Sequence, residues 1–448
     1  MPSTFATGAP PRLPRWAVIP PAPVAPLARL FAPLLRPSVV FTLIAGVLTP
    51  FTVSLGGEMP IGELALFAAA AWALLIVAIS HAWPGGLWRD PVFLGLLGCQ
   101  AFALVAYVAS DLYRGSAPHD FIRGWARMIF LGIDLAAVAY LVGCSALNFV
   151  VLLVGVQLGE VFKVHLQGAL FDDYWKFGYA APVTVGVLLI AGRLGLFASV
   201  CAAAGLGIVH FYFDFRSLGM LCLVVAAFLG VQAFPRLVRA WIAPLGLAGA
   251  LVLVGIIYSH TRSDREGQRS TRSDVERSSM VIAALEAFRD SPLLGHGSWF
   301  SRTDVMDNFM IIREERARMA GVGGFAGSNE EEEGVTLHSQ LLVTLAEGGV
   351  FGAAFFIPFA FGLVWALYQQ VIVRAWTEFS PVRHYVLVLA LFHVFLSPFS
   401  GAHRVGIALA AALVVLIHRE RTEAREESEA DSTVSSVPVS TLSAPRFP

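Results

Sequence analysis

The chain is short of charge. Only 14% of its 448 residues are charged, against 56% hydrophobic, where ordinary soluble domains carry about 25% charged residues. Its 31 basic and 32 acidic residues leave a net charge of −1, so no basic surface points to nucleic acid. Cysteine is scarce as well. Cys99, Cys144, Cys201 and Cys222 lie in or beside apolar runs and form no CxxC, which excludes a disulfide framework or a cysteine metal site and predicts buried small residues. Three catalytic signatures are missing. Without an Asp-x-Asp, the usual metal-binding pair for nucleotide-sugar donors is absent; without a Walker A sequence, ATP is not the energy source; without Gly-x-Ser-x-Gly there is no hydrolase elbow. The segment up to Arg36 and Pro37 is rich in Pro and Arg and has no early apolar core, so a cleaved signal peptide is not expected.

What the chain has instead is long apolar runs, with a mean hydropathy of +0.69. They predict helices near 38–56, 61–80, 91–110, 125–143, 146–165, 179–192, 195–212, 217–233, 241–259, 349–369, 382–398 and 404–418. The expected fold is all-α: a polytopic integral membrane protein with about twelve spans in a lipid bilayer. Arg193 argues for two spans, not one, between 179 and 212. Short-loop charge sets the orientation. Arg12, Arg15, Arg29 and Arg36 place the N-terminus inside, with Arg89, Arg193, Arg236, Arg239, Arg374, Arg383, Arg419 and Arg421 on the same side. The loop 111–124, carrying Arg114 and Arg123, runs against this pattern. The expected organisation is a cytoplasmic segment 1–37, nine spans over 38–259, an external segment 260–348, three spans over 349–418 and a disordered cytoplasmic tail 419–448.

The stretch 273–352 is the main polar interruption. Ser273 with Glu276 reads as a capping box, so a helix is expected to start there and to stop before Pro292. Pro292, Gly295 and Gly297 follow in a Pro-x-x-Gly-x-Gly turn. A further amphipathic stretch is expected at 304–319, and an acidic run at 330–333 beside the Gly-rich 321–327. A second helix is expected from near Thr336 through His338 to Glu347, broken by Gly348 and Gly349. Arg277 would lie in the first turn of its helix, where the macrodipole disfavours a cation unless an anion comes to meet it. His338 would also lie in a first turn, where the dipole favours the neutral imidazole of a general base. Simpler readings stay open for both: a snorkelling arginine and a boundary histidine.

Arg216 sits on a tight turn expected at the outer face, where cations are disfavoured. It either pairs with Asp214 or joins Arg277 around an anion. Asp134, Glu160 and Lys163 fall in apolar runs; Glu160 and Lys163, three apart, could pair with each other.

At these residues the chain resembles the O-antigen ligase and O-antigen polymerase family of bacterial membrane glycosyltransferases. That family's pattern joins an arginine-led helix and a Pro-x-x-Gly-x-Gly turn to a later His whose helix ends Glu-x-Gly-x-x-Gly. Here these are Arg277, the turn at Pro292, Gly295 and Gly297, then His338, and Glu347, Gly349 and Gly352. Arg216 and Gly219 are similar to the start of an earlier family helix. The likeness covers roughly the second half of the chain. Ser339 stands where the family often has Asn, and the acidic Gly-rich insert lies outside the pattern.

The resemblance implies a GT-C-like enzyme in the bacterial inner membrane, with its site on the periplasmic side. It would move a glycan from an undecaprenyl-pyrophosphate carrier to an acceptor hydroxyl, on lipid A-core in a ligase or on a carrier-linked glycan in a polymerase. No metal or other cofactor is implied. Arg277 and Arg216 would neutralise the pyrophosphate leaving group. His338 would take the acceptor's proton, giving displacement with inversion. Gly295, Gly297, Ser339 and Glu347 fall in the segments that would hold substrate. A flippase or transporter of the same lipid-linked sugars is the rival reading; it would place charges near the membrane midplane.

Overall fold

Apart from Gly406, every residue over 405–417 is buried. A helix apolar on all sides has to be covered on all sides, and helices from both halves of the chain pack on this one. The computed structural model describes residues 36–54, 58–80, 86–167, 174–260, 264–300, 303–321, 339–397 and 401–435. Two units divide after Phe41. Residues 36–41 are the opening of a helix, and the remainder forms the other unit.

The helices are α1 (Pro37–Leu48), α2 (Ile61–Ser80), α3 (Pro91–Arg114), α4 (Pro118–Val142), α5 (Ala146–Leu166), α6 (Ala180–Leu194), α7 (Leu196–Tyr212), α8 (Arg216–Val231), α9 (Arg236–His260), α10 (Asp264–Asp290), α11 (Thr303–Met319), α12 (Gln340–Gly352), α13 (Phe356–Tyr368), α14 (Ser380–Leu396) and α15 (Gly401–Ser435). A π-helical turn, Gln369–Val373, prolongs α13. Strands β1 (Thr52–Ser54) and β2 (Glu58–Pro60) form one antiparallel ribbon, with Val53 opposite Met59. Among the described residues the fold is therefore all-helical apart from this ribbon. Among the described residues, α2, α3, α4, α5 and α13 with its π turn are long and apolar enough to cross a membrane. Helices α1, α6, α7, α8 and α14 are apolar but shorter.

Several boundaries differ from those read in the sequence. The first helix ends at Leu48, not near 56, because Pro50 disfavours helix at Thr49 and the Thr49 hydroxyl turns back to donate to the Ala45 carbonyl at 3.0 Å. The ribbon takes up the residues that follow. The loop expected at 111–124 shrinks to 115–117. Gly115 closes α3 in the left-handed region at φ 67°, and Pro118 opens α4 at its first position, where its missing N–H costs nothing. The tail expected to be disordered from 419 continues α15 as helix to Ser435. Pairs one turn apart, Arg419 with Glu423 and Arg425 with Glu429, support it; residues 436–448 lie outside the described ones. Cys222 is buried as expected, but Cys144 and Cys201 are exposed.

Two features fix the bundle. On α5, Gly155 and Gly159 leave room for α1: a Cβ at Gly159 would stand 2.2 Å from the Val47 carbonyl oxygen, the close approach that small residues four apart allow. Midway along α15, Glu420 accepts from Arg383 at 2.7 and 2.9 Å and pairs closely with Arg374. Burial alone would raise the Glu420 carboxyl; the hydrogen bonds and charge of Arg383, then of Arg374, reverse this and hold it below the ordinary carboxylate range.

Candidate functional site

The two segments singled out in the sequence, about fifty residues apart, dock on each other. After α10 ends, the turn at 292–297 lies along the break in α12. The His296 N–H donates to the Ala346 carbonyl at 2.9 Å, the Gly297 N–H to the Glu347 carbonyl at 2.9 Å, and the Val350 N–H to the Pro292 carbonyl at 2.8 Å. Glycine is needed on both sides. Gly295 has φ 66°, and a Cβ there would stand 2.4 Å from the Glu347 carbonyl; Gly349 has φ 65°, and its Cβ would stand 2.2 Å from the Leu293 carbonyl oxygen. A side chain at either position would meet backbone, which cannot move aside, in a conformation only glycine adopts freely.

Below this joint lies a set of polar side chains from the ends of α3 and α4. Glu347 is 2% exposed. Its carboxylate forms a close ion pair with Arg127, accepts from the Tyr107 hydroxyl at 2.9 Å and accepts from the Trp299 N–H at 3.0 Å. Its carbonyl takes a second bond, from the Ser110 hydroxyl at 3.0 Å. Asp111 accepts from the Ser298 N–H at 2.6 Å, the Ser298 hydroxyl at 2.7 Å and the Trp125 indole at 2.7 Å. Arg114 donates to the Gly295 carbonyl at 2.9 Å and to the Ser291 hydroxyl at 2.5 Å. Tyr107, Asp111, Arg114 and Arg127 were missed in the sequence. The signal was there: Arg127 interrupts an apolar run, and an ionisable residue in such a run is a candidate by default.

Both carboxylates of this joint accept from donors of the protein itself, so Glu347 and Asp111 tie the joint to α3 and α4. Above it, Trp299 is partly exposed and has φ 61°. A bulky non-glycine residue in that region costs on the order of 1–3 kcal/mol and is kept only where its surroundings over-determine it. Here the bond to Glu347 and the Arg127 guanidinium, 5.7 Å from the Trp299 ring centre, do so.

The structure unites some of the singled-out residues and separates others. Gly295, Gly297 and Glu347 are within one joint. Ser339 caps α12: its hydroxyl oxygen accepts from the Leu342 N–H at 3.2 Å, and it reaches the Val394 carbonyl at the end of α14 at 3.2 Å. The second helix is thus described from Gln340; Thr336, His338 and the acidic run 330–333 lie outside the described residues. Arg277 is not in a first turn. Helix α10 begins at Asp264, well before the box of Ser273 and Glu276, and Arg277 stands exposed in its middle. The macrodipole therefore adds nothing at Arg277. Val281 and Leu285 on the same stripe are exposed too, while Met280, Ala283, Ala284 and Ala287 pack against Phe309 of α11 and Val343 and Ala346 of α12. Arg216 opens α8 and donates to Asp214 at 2.8 Å, the ion-pair alternative. Its helix packs on α7, α9 and α14, whereas α10 packs on α11 and α12.

A second buried cluster joins Asp134 to residues not singled out. Arg404 holds Glu63 by two hydrogen bonds, 3.0 and 2.8 Å, and lies 4.0 Å from Asp134. Asp134 is wholly buried and faces the Glu63 carboxyl as well as Arg404. Glu160 and Lys163, three apart on α5, act on each other through charge. Among the described residues, no three or more His, Cys, Asp or Glu side chains converge as a metal site.

No protein-family model matches the chain, and no characterised protein matches it in sequence.

Proposed function

We propose that the chain is an O-antigen ligase-type glycosyltransferase of the bacterial inner membrane. It crosses the membrane about twelve times and carries its site on the periplasmic side. It moves a glycan from undecaprenyl pyrophosphate to a hydroxyl of lipid A-core, by displacement with inversion and without a metal. The observation that carries this reading is the union of the 292–297 turn with the Glu347 block of α12. These are the two segments of the family-like pattern, and they form one rigid joint.

In this reading Arg277, exposed on α10, meets the pyrophosphate through its guanidinium, while Arg216 stays paired with Asp214. His338 precedes the α12 cap and accepts the acceptor's proton. Glu347 holds the floor of the site together through Arg127 and Tyr107 and positions the residues above it.

Glycan transfer by purified variants tests the assignment. His338→Ala lowers transfer by roughly 10²–10⁴ while carrier binding persists, Arg277→Lys is poor because an ammonium cannot make the two-pronged phosphate contact, and EDTA has no effect. Near-wild-type transfer by both His338→Ala and Arg277→Ala rejects it. A polymerase of the same family leaves single repeats on deletion of the gene, whereas a ligase leaves carrier-linked polymer without its lipid A-linked ladder. A transporter of lipid-linked sugars is favoured by one observation, the buried cluster of Glu63, Asp134 and Arg404. It would move substrate across vesicles and transfer none in detergent.

A further inference from the structure

Arg404 of α15 stands against two buried acids. Its guanidinium donates twice to Glu63 of α2, at 3.0 and 2.8 Å. The same Nε stands 4.0 Å from Oδ2 of Asp134 on α4, beyond hydrogen-bond reach. Both carboxyls are 0% exposed, and the Arg404 guanidinium lies over the Phe130 ring at 5.4 Å. Among the described residues, the charged groups that act on Asp134 are Glu63 and Arg404. Charges on the other elements packed on α4 are engaged elsewhere or open to solvent. Asp111 of α3 accepts from Ser298 and Trp125, and Glu160 of α5 acts with Lys163. Arg89, in the turn before α3, is exposed. Arg127, about two turns earlier on α4 itself, is paired with Glu347.

The charge count decides what completes this cluster. With both acids ionised, two negative charges would face one positive charge, sealed from water. A buried net charge is costly, and two carboxylates side by side resist double ionisation. A metal cation would stand beside the Arg404 guanidinium with too few oxygens to replace its hydration shell. A proton meets neither obstacle. Glu63 takes both Arg404 bonds and lies in the first turn of α2, where the helix dipole favours an anion. Asp134 is well inside α4, so the proton belongs on its side chain. We propose that Glu63 and Asp134 form a proton-binding site that holds one proton between them at neutral pH. The proton comes from solvent and is carried by Asp134, whose hydroxyl donates to the Glu63 carboxylate. The cluster then has no net charge and ties α2, α4 and α15 together. The inference does not rest on the glycan-transfer reading, which uses none of these residues.

Infrared spectroscopy of the detergent-solubilised full chain at neutral pH tests it, with aspartate isotopically labelled at its side-chain carboxyl carbon. A protonated carboxyl absorbs apart from a carboxylate, and its band shifts in deuterium oxide. The wild type should show a labelled protonated-carboxyl band that Asp134→Asn, a change of nearly equal shape, removes. Glu63→Gln should remove it too, because Asp134 is then the one acid facing Arg404 and ionises. In the wild type the band should also lie at the lower frequency of a carboxyl that donates a hydrogen bond, a reading that stands even where Glu63→Gln does not fold. A spectrum unchanged by Asp134→Asn overturns the proposal. So does a band that survives in folded Glu63→Gln, which would mean that burial alone protonates Asp134, and so does a wild-type band at the frequency of a carboxyl without a hydrogen bond.

Discussion

Two buried ion clusters among the described residues differ in balance. In the joint under α12, one acid, Glu347, faces one base, Arg127, and the remaining acceptor capacity of the carboxylate is taken by Tyr107 and the Trp299 backbone. In the other cluster two acids, Glu63 and Asp134, share Arg404, which makes two hydrogen bonds to Glu63 and none to Asp134. Glu63 is eased by its place in the first turn of α2, at the positive end of the helix. Asp134, well inside α4, has no such help. The balanced cluster behaves as a fastener between distant parts of the chain. The unbalanced one holds a carboxylate that packing alone does not explain.

The largest expected effect comes from unbalancing the fastener. Arg127→Leu leaves the Glu347 carboxylate buried without its cation and should cost about 3–5 kcal/mol. Pairing it with Glu347→Leu removes the orphaned charge, and the double variant should recover most of that loss. Thermal unfolding of the purified variants measures both. A double variant as unstable as Arg127→Leu alone would mean that the joint depends on the Tyr107 and Trp299 bonds more than on charge.

Next is the backbone contact that brings the two segments together. Gly295→Ala puts a Cβ into the Glu347 carbonyl at positive φ and should cost about 1–3 kcal/mol. Limited proteolysis near 291–300 should speed up in this variant while the bundle of α13 to α15 keeps its protection. Uniform loss of protection would show that the joint and the bundle unfold as one unit.

Asp134→Asn should have a smaller effect and the opposite sign. It removes the surplus acid without creating a cavity, so stability should stay within about 1 kcal/mol of wild type or rise. A loss comparable to that of Arg127→Leu would show that Asp134 is as firmly engaged as Glu347 and would erase the contrast between the clusters. For the transporter reading, the same variant should abolish vesicle transport while leaving the fold intact.

How much of this could be read in advance differs by residue. The Pro292 stop, the helix at 304–319 and the glycine-dependent turn were legible because each is local: proline, apolar spacing and positive φ are written within a few residues. The start of α10 was not. Residues 264–272 are almost wholly polar, so no apolar period announces the helix, and a box of Ser273 and Glu276 has the same letters at a helix start or in its middle. The partners of Glu347 were out of reach for a different reason. Tyr107 and Arg127 lie 240 and 220 residues away in the chain, and nothing local pairs a given arginine with a given glutamate across that separation. The place of Asp134 next to Arg404 was hidden in the same way.

The smallest expected effect sharpens the comparison by reversing its sign. Midway along α15, one acid, Glu420, serves two bases, Arg374 and Arg383. This cluster is partly open to solvent, so its surplus cation is hydrated and the pair with Arg383 is screened; Glu420→Gln should cost only about 0.2–1 kcal/mol at neutral pH. The pH dependence identifies the cause. Because Arg383 and Arg374 hold the folded-state carboxyl of Glu420 below the ordinary 4.5 of a free glutamate, its contribution is fully present above that value and is lost as pH falls through the folded-state value. The stability difference between wild type and Glu420→Gln should therefore be flat from pH 7 to about pH 5 and shrink below about pH 4.5. Unfolding midpoints of both proteins across this range give the answer. A difference that shrinks between pH 5 and 7 would place the carboxyl above its ordinary range, with burial outweighing the two arginines.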